Sequence, residues 1–322
     1  MWRYREALPV CLEENAVTFC EGFTPLLEVP IGRRSALIKQ DHLFPTGSYK
    51  DRGASLMISV LKEHGVKEIV EDSSGNAGCS VAAYAARAGI DCEIFVPSDT
   101  SKSKLAQIAA YGARLNLVPG SREDTAAAVL KAAASKCYAS HSYNPLFFHG
   151  TKTFAFEVTE QLGWRRPDVV VLPAGNGTLL LGAYIGFNEL LDAGVISSIP
   201  KIIAVQARNC SPLARSYEER LEKVSFVETQ PTIAEGIAIA KPIRGNQILK
   251  AVRDSGGDFV TVEETEIDSA YREMAKMGFF IELTSAAVIA GLKKYAVLSD
   301  DAEVVVSVFT GHGLKTAGKG AS

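Results

Sequence analysis

Short apolar runs alternate with helix-length segments along most of this chain, and that alternation limits its fold more than any other feature. Three of the runs, 168–174, 201–206 and 303–311, are almost wholly apolar and lead into glycine or polar residues. Continuous apolar strands of this kind are typical of a parallel sheet buried on both faces. The pattern therefore predicts an α/β fold in which helices cover open, mainly parallel sheets in three layers.

The alternating segments fall into two groups, which predicts two domains. The second group begins near Pro145, and 322 residues with 47% hydrophobic content are enough for two cores. The predicted strands of the first group are 68–74, 92–98 and 113–119. Strand-like runs at 24–30 and 35–40 flank a turn signal at Gly32 and predict an edge hairpin.

Composition narrows the classes of partner. The net charge is −3, the isoelectric point is near 6.0, and no basic stripe with interleaved aromatic residues is present, which argues against a nucleic-acid partner. No run of about 18 uncharged apolar residues predicts a membrane span, and the first ten residues carry charges where a signal peptide has its apolar core. Six scattered cysteines without a C-x-x-C pair predict reduced thiols, and the five histidines lack metal-ligand spacing. We expect a cytoplasmic protein with a small-molecule partner and no metal.

A lysine lies where an irregular segment turns into a predicted helix. The stretch FPTGSYKDRGA, 44–54, places Lys50 among Thr46, Gly47, Ser48 and Asp51. Such a junction suits a reactive amine, although Thr-Gly-Ser ahead of a charged first turn is also ordinary helix capping. The stretch alone leaves both interpretations open.

Two further stretches place small residues between a strand and a helix. SSGNAG, 73–78, follows one predicted strand and offers backbone N–H groups to a carboxylate or phosphate, although a capped helix after a glycine turn has the same composition. PAGNGTLLLG, 173–182, follows an apolar strand and predicts a phosphate site, without the dinucleotide fingerprint or a P-loop.

The last strand ends in Thr310, whose hydroxyl is suited to bind a ring heteroatom, and His312 follows it.

Taken in order, these stretches resemble the pyridoxal-phosphate enzymes of fold type II, the tryptophan-synthase-β-like family. The resemblance covers nearly the whole chain and is closest to the threonine synthases. The motifs that carry it are WRYRE, TGSYKDRGA, SSGNAG, NPLFFHGTKTFAFE, PAGNG, FIELTSAA and TGHGLK. It implies pyridoxal 5'-phosphate as cofactor, an amino-acid substrate and a role in threonine biosynthesis.

The resemblance also implies roles for individual residues. Lys50 matches the lysine that links covalently to the cofactor and then serves as general base at the substrate Cα–H. Asn76 matches the asparagine that binds the cofactor's ring oxygen, and Thr310 matches the neutral hydroxyl facing the pyridine nitrogen. The phosphate loop corresponds to Gly175, Asn176, Gly177, Thr178 and Leu179. The substrate-binding residues correspond to Ser73, Ser74, Gly75, Ala77, Gly78 and Ser142.

Two positions depart from the threonine-synthase pattern. Ala77 stands where a threonine is usual, and Phe147 stands where an arginine is usual, so a hydroxyl and a guanidinium that seat a phosphate are missing. The segment TIAEGIAI, 232–239, is closer to the serine/threonine dehydratases, and Ser142, His149 and Lys152 remain as anion contacts. The expected reaction is the conversion of O-phosphohomoserine and water to threonine and phosphate. A serine/threonine dehydratase or β-replacement enzyme is the alternative, and a non-catalytic binding homologue is a third.

The resemblance completes the expected organisation. Residues 1–57 and 146–322 are predicted to form a large cofactor-binding domain, and 58–145 a small mobile substrate-binding domain, with the site between the two. A homodimer is expected because dimers are common in the family.

Overall fold

A computed structural model of the chain describes residues 1–10, 13–100, 102–298 and 302–315, without the side chains of 102–104, 122 and 298. The chain divides into two compact units. Unit 1 contains Met1–Gly22 and Phe44–Thr151, and unit 2 contains Phe23–Leu43 and Lys152–Ser322. Both units are α/β, as the alternation of apolar runs and helical segments predicts.

Unit 1 is built on a parallel sheet of four strands in the order β5-β4-β3-β6. Its strands are β3 (Glu68–Glu71), β4 (Asp91–Pro97), β5 (Arg114–Val118) and β6 (Cys137–Tyr138). Its helices are α1 (Lys50–Glu63), α2 (Asn76–Ala88), α3 (Lys102–Ala110), α4 (Arg122–Ala132) and α5 (Pro145–Thr151), with 3-10 turns at Trp2–Ala7 and Glu13–Asn15. Buried Ile69, Val70 and Ile94 form the centre of the sheet.

Unit 2 is built on a sheet of six strands in the order β1-β2-β10-β7-β8-β9. Its strands are β1 (Leu26–Ile31), β2 (Arg34–Lys39), β7 (Val169–Pro173), β8 (Lys201–Ala207), β9 (Asp258–Val262) and β10 (Val305–Val308). Its helices are α6 (Thr153–Gln161), α7 (Thr178–Asp192), α8 (Pro212–Glu218), α9 (Gly245–Asp254), α10 (Glu264–Lys276) and α11 (Leu283–Leu298), with 3-10 turns at Asp41–Leu43, Arg208–Cys210, Glu235–Ile237 and Gly313–Lys315. The apolar core of this sheet includes Val171, Val205 and Phe309.

The predicted edge hairpin is confirmed. β1 and β2 pair antiparallel with Val29 opposite Ala36, and β2 then pairs parallel with β10. The remaining pairs of this sheet are parallel, which agrees with the apolar strands β7 and β10 being buried along their whole length. The sequence pattern did not predict β6 or α5, because both elements are too short to show a period.

The compact units divide the chain at other points than the predicted domains. The predicted small domain, 58–145, lies within unit 1, but unit 1 also contains residues 1–22, 44–57 and 146–151. These segments join it because α1 packs closely on both α2 and α5. The assignment of a large cofactor-binding domain and a small mobile domain concerns function rather than compactness, and it stays a prediction.

Candidate functional site

Lys50 is the first residue of α1, and its amine lies near two buried aromatic rings, those of Tyr49 and Phe147. Its Nζ donates a hydrogen bond of 2.7 Å to the Tyr49 hydroxyl and lies 4.6 Å from the centroid of the Tyr49 ring. The same Nζ is 5.8 Å from the centroid of the Phe147 ring. Lys50 itself is half-buried, whereas Tyr49 and Phe147 are buried. The amine is therefore held between two ring faces at the entrance of a helix.

The loop before Lys50 is fastened by the next residue, Asp51, which is wholly buried. Its Oδ1 accepts hydrogen bonds from the hydroxyls of Thr46 at 2.5 Å and Ser80 at 2.6 Å, and its Oδ2 accepts one of 2.9 Å from the Thr46 N–H. Ser80 belongs to α2, so the carboxylate ties the loop to a second helix. This arrangement explains the Asp after the lysine better than first-turn capping alone.

Two glycines allow α5 to approach the first turn of α1. A Cβ on Gly53 would lie 2.3 Å from two carbons of the Phe147 ring, and a Cβ on Gly150 would lie 2.1 Å from the Arg52 carbonyl oxygen. Only the absence of side chains at these positions permits the observed packing. Phe147 is thereby pressed against α1 three residues after Lys50.

The SSGNAG stretch forms the turn between β3 and the start of α2. Ser73 Oγ accepts a hydrogen bond of 3.3 Å from the Gly75 N–H, and Gly75 is the N-cap residue of α2 without a side-chain cap. A Cβ on Gly78 would lie 1.9 Å from the Ser73 carbonyl oxygen, so this position requires glycine. Ala77 is buried in the first turn of the helix. Ser73, Ser74 and Asn76 are half-buried, Gly75 is exposed, and Gly78 is buried.

A buried acid and a histidine, neither of them predicted as a site residue from the sequence, lie together in unit 1. Glu71 ends β3 and is wholly buried, and its Oε1 is 2.6 Å from His141 Nδ1. The parallel neighbour strand β6 brings His141 to this end of the sheet, because Val70 pairs with Tyr138. Burial raises the pKa of Glu71 well above its usual value, and the adjacent Asp72 raises it further, while His141 and Lys50 act in the opposite direction. Glu71 therefore favours the protonated state.

In unit 2 the glycine-rich loop connects β7 to α7. Gly177 is the N-cap residue of α7 with φ of 72°, and the first turn of this helix contains no acidic residue and no side-chain cap. A Cβ on Gly175 would lie 3.0 Å from the Gly236 carbonyl oxygen, within the TIAEGIAI segment. Thr178 and Leu179 are buried, and Asn176 is half-buried. The loop presents the start of a fifteen-residue helix, where backbone N–H groups and the helix dipole favour an anion.

Thr310 follows β10 in unit 2 and takes part in a buried hydroxyl and carboxyl cluster. Its Oγ1 donates a hydrogen bond of 2.7 Å to Glu282 Oε1 and lies 2.9 Å from Ser285 Oγ. Ser285 Oγ also accepts a bond of 2.8 Å from the Thr310 N–H. Sequence reasoning missed Glu282 and Ser285, although both belong to the FIELTSAA motif that contributed to the resemblance. The Thr310 hydroxyl is therefore bonded to a buried glutamate side chain.

The remaining predicted contacts are placed as follows. Ser142 is buried in the turn after β6, where its N–H donates to Ser140 Oγ at 3.3 Å. His149 lies half-buried on α5. Lys152 is buried in unit 2 and forms an ion pair of 2.8 Å with Glu189 on α7. Within unit 1, the structure brings Lys50 together with Phe147, the residue that departs from the threonine-synthase pattern.

The comparisons with known proteins agree with these observations. Residues 17–311 match the family model described as pyridoxal-phosphate dependent enzyme. The chain is 38% identical to a threonine synthase of Methanocaldococcus jannaschii over 98% of its own length and 80% of the relative. It is 36% identical to a threonine synthase of Mycobacterium bovis, covering 97% of this chain and 87% of the relative.

Solved structures show the same fold. Serine racemase from Dictyostelium discoideum superposes with a TM-score of 0.78 at 23% identity and covers 96% of each chain. A threonine deaminase isoform from Solanum lycopersicum has a TM-score of 0.78 at 22% identity, covering 90% of this chain and 79% of that one. The chain belongs to the family of pyridoxal-phosphate-dependent enzymes. Within that family it is threonine synthase-like, which confirms the predicted fold class, cofactor and lyase class.

The residues present fit pyridoxal phosphate. The start of α7 has the donors that a phosphate needs and no acidic residue in its first turn to oppose one. Taken by itself, unit 1 has a lysine at a helix entrance, as the covalent link to this cofactor requires. None of the described helices is long and apolar enough to cross a membrane.

Proposed function

We propose that this chain converts O-phosphohomoserine and water to threonine and phosphate. The observation that supports this reaction best is the similarity to curated threonine synthases, which spans nearly the whole chain at 34–38% identity. The position of Lys50 at the entrance of α1, with its amine bonded to Tyr49, agrees with the covalent chemistry that such a reaction requires.

Individual roles follow from the motifs and from the local geometry. Lys50 would hold the cofactor and exchange a proton with the substrate Cα–H. Gly175, Asn176, Gly177, Thr178 and Leu179 would bind the phosphate at the start of α7, and Asn76 and Thr310 would bind the ring. Bound pyridoxal phosphate supplies an electron sink that acidifies the substrate Cα–H.

We propose the turn before α2 as the site of the substrate carboxylate. Ser73, Ser74, Gly75, Ala77 and Gly78 would bind the substrate carboxylate with Ser142, since an uncapped helix start favours an anion. The Lys50 amine has to lose a proton before it can act as nucleophile or base. The Tyr49 hydroxyl, at 2.7 Å, is placed to hold the amine in one orientation during that exchange.

Borohydride labelling tests the assignment of Lys50. We expect purified protein loaded with pyridoxal phosphate to be yellow, and reduction followed by peptide mapping to place the label on Lys50. Lys62 lies on the same helix, so the K62R variant is the matched control and should be labelled as the wild type is. Label on another lysine, or a K50A variant that is labelled equally well, would refute the assignment.

The second candidate is a dehydratase acting on serine or threonine. Ala77 and Phe147 are both buried, and neither side chain carries a hydrogen-bond donor for a phosphate dianion. Asp72, half-buried in the same unit, adds an acidic group, which favours a substrate with an uncharged hydroxyl leaving group. Release of inorganic phosphate from O-phosphohomoserine supports the first candidate, whereas formation of a 2-oxo acid and ammonia from serine or threonine supports the second.

We also propose that the protein acts in the cytoplasm as a homodimer. Cys20, Cys79, Cys92, Cys137 and Cys210 form no disulfide among the described residues, which agrees with a reducing compartment. The dimer is proposed because dimers are common in the family, and light scattering on the purified protein loaded with pyridoxal phosphate would test it. A monomer at micromolar concentration would contradict the proposal.

A further inference from the structure

A buried pair, Glu71 with His141, adjoins the aromatic ring that faces Lys50. Three contacts connect the four side chains in sequence. Glu71 Oε1 is 2.6 Å from His141 Nδ1, and the His141 ring meets the Phe147 ring edge-on with centroids 6.1 Å apart. The Phe147 ring in turn lies 5.8 Å from Lys50 Nζ. All four residues belong to unit 1.

The Glu71 carboxyl is wholly buried at the end of β3 and lies 2.6 Å from His141 Nδ1. Burying a carboxyl is costly, and an apolar residue of similar size avoids that cost. A buried carboxyl at the end of a parallel strand, one residue before the SSGNAG turn, is typical of a functional region.

Phe147 is able to transmit the position of the pair to Lys50. Its ring has no freedom to move towards α1, because it lies against the backbone of Gly53. The ring also meets the edge of His141, and the Glu71 carboxyl is hydrogen-bonded to that imidazole. A change in the hydrogen bond between Glu71 and His141 therefore alters the ring that the Lys50 amine faces.

We propose that Glu71 and His141 are positioning residues which, through the ring of Phe147, hold the Lys50 amine where it reacts with the cofactor. This proposal rests on the assignment of Lys50 under the proposed function. The hydrogen bond itself is the element that matters, because it is the contact of 2.6 Å that joins Glu71 to the imidazole. A glutamine at position 71 keeps the size and the hydrogen bond and should preserve the function.

The first measurement is the rate at which cofactor-free protein captures pyridoxal phosphate covalently, followed by absorbance. We expect Glu71→Leu to slow capture by about tenfold or more, since a misplacement of about 1 Å can cost far more than that in rate. Glu71→Gln should stay within about threefold of the wild type. His141→Phe keeps a ring against Phe147 but loses the hydrogen bond, and it should slow capture as Glu71→Leu does. The control Glu93→Gln alters a carboxylate that pairs with Lys136 on the same sheet and should not change the rate.

The second measurement is independent of the cofactor and of Lys50. The proton between His141 Nδ1 and Glu71 Oε1 should give a downfield proton NMR signal in cofactor-free protein, because the two atoms are 2.6 Å apart and the carboxyl is buried. The signal should vanish in His141→Phe and Glu71→Leu and persist in Glu71→Gln. Loss of Lys50 labelling in the wild type with the signal intact would refute the proposed function and not the hydrogen-bonded pair.

Two results would overturn the positioning role. One is a folded Glu71→Leu protein that captures the cofactor at the wild-type rate. The other is a Glu71→Gln protein as slow as Glu71→Leu, which would show that charge rather than the hydrogen bond is required. Circular dichroism of each variant separates these results from a failure to fold.

Discussion

Replacing Gly53 with alanine should destabilise unit 1 through one defined clash. The new methyl group would lie 2.3 Å from Cδ1 and Cε1 of Phe147 and 2.6 Å from its Cγ. Non-bonded carbons prefer separations of about 3.5–4.0 Å, so the ring or the helix has to move by about 1 Å. Phe147 is wholly buried, and Gly150 holds α5 against the same turn, so little space is available for that movement.

Two effects oppose each other in this variant. Alanine in a helix interior is favoured over glycine by about 1 kcal/mol. Overpacking of a filled core typically costs about 1–3 kcal/mol, and the rigid surroundings place this site in the upper part of that range. We therefore expect a net loss of about 1–2 kcal/mol in the free energy of unfolding. Because Phe147 faces Lys50, cofactor capture should also slow.

A double-mutant cycle with Phe147→Ala tests the cause. Phe147→Ala alone should cost about 3–5 kcal/mol by opening a cavity. In that background Gly53→Ala no longer meets a ring and should be neutral or stabilising by about 1 kcal/mol. The assay is urea unfolding of the four cofactor-free proteins followed by circular dichroism. Equal effects of Gly53→Ala in both backgrounds would refute the clash as the cause.

Three other substitutions give sharp outcomes. Gly177→Ala places a methyl group 2.4 Å from Ile248 at a residue with φ of 72°, and it should weaken pyridoxal-phosphate binding about tenfold in a fluorescence titration. Gly194→Ala is the control, because Gly194 follows the other end of α7, has φ of 69°, and has no atom within 4 Å of an added Cβ. This control should share the backbone strain and leave the binding unchanged. The pKa of His42 is lowered to about 4 by burial and, to a smaller extent, by the nearby His312, whereas Asp41 opposes the shift. Between about pH 6.5 and 4 the unfolded chain therefore binds a proton that the folded chain does not bind. Stability should fall across that window by up to about 3 kcal/mol, and His42→Phe should remove this loss in unfolding experiments at pH 7 and 4.5. Burial raises the pKa of Glu71, and Asp72 raises it further, so the folded chain keeps a proton that the unfolded chain loses. The stability of the wild type should therefore fall as pH rises above about 4.5. The stability of Glu71→Gln relative to the wild type should increase from pH 5 to pH 8, and an unchanged difference would contradict the raised pKa.

The sequence by itself determined the fold class and most of its elements. Strand β7 is apolar along its whole length and β8 and β10 are mostly apolar, and such runs between amphipathic helices have few other stable arrangements than a covered parallel sheet. The glycine-rich stretches and the lysine stretch lie at strand and helix boundaries as predicted, because capping and turn chemistry are local.

Tertiary structure alone decided which distant residues meet. Glu71 and His141 are seventy positions apart and come together because β3 and β6 are parallel neighbours, and a two-residue strand leaves no periodic signal in the sequence. Ser285 likewise reaches Thr310 through the packing of α11 beside β10, and Glu282 reaches it because its backbone N–H bonds the Gly311 carbonyl oxygen. Local patterns report capping, turns and burial, whereas the surroundings of the Lys50 amine depend on contacts between segments far apart in the chain.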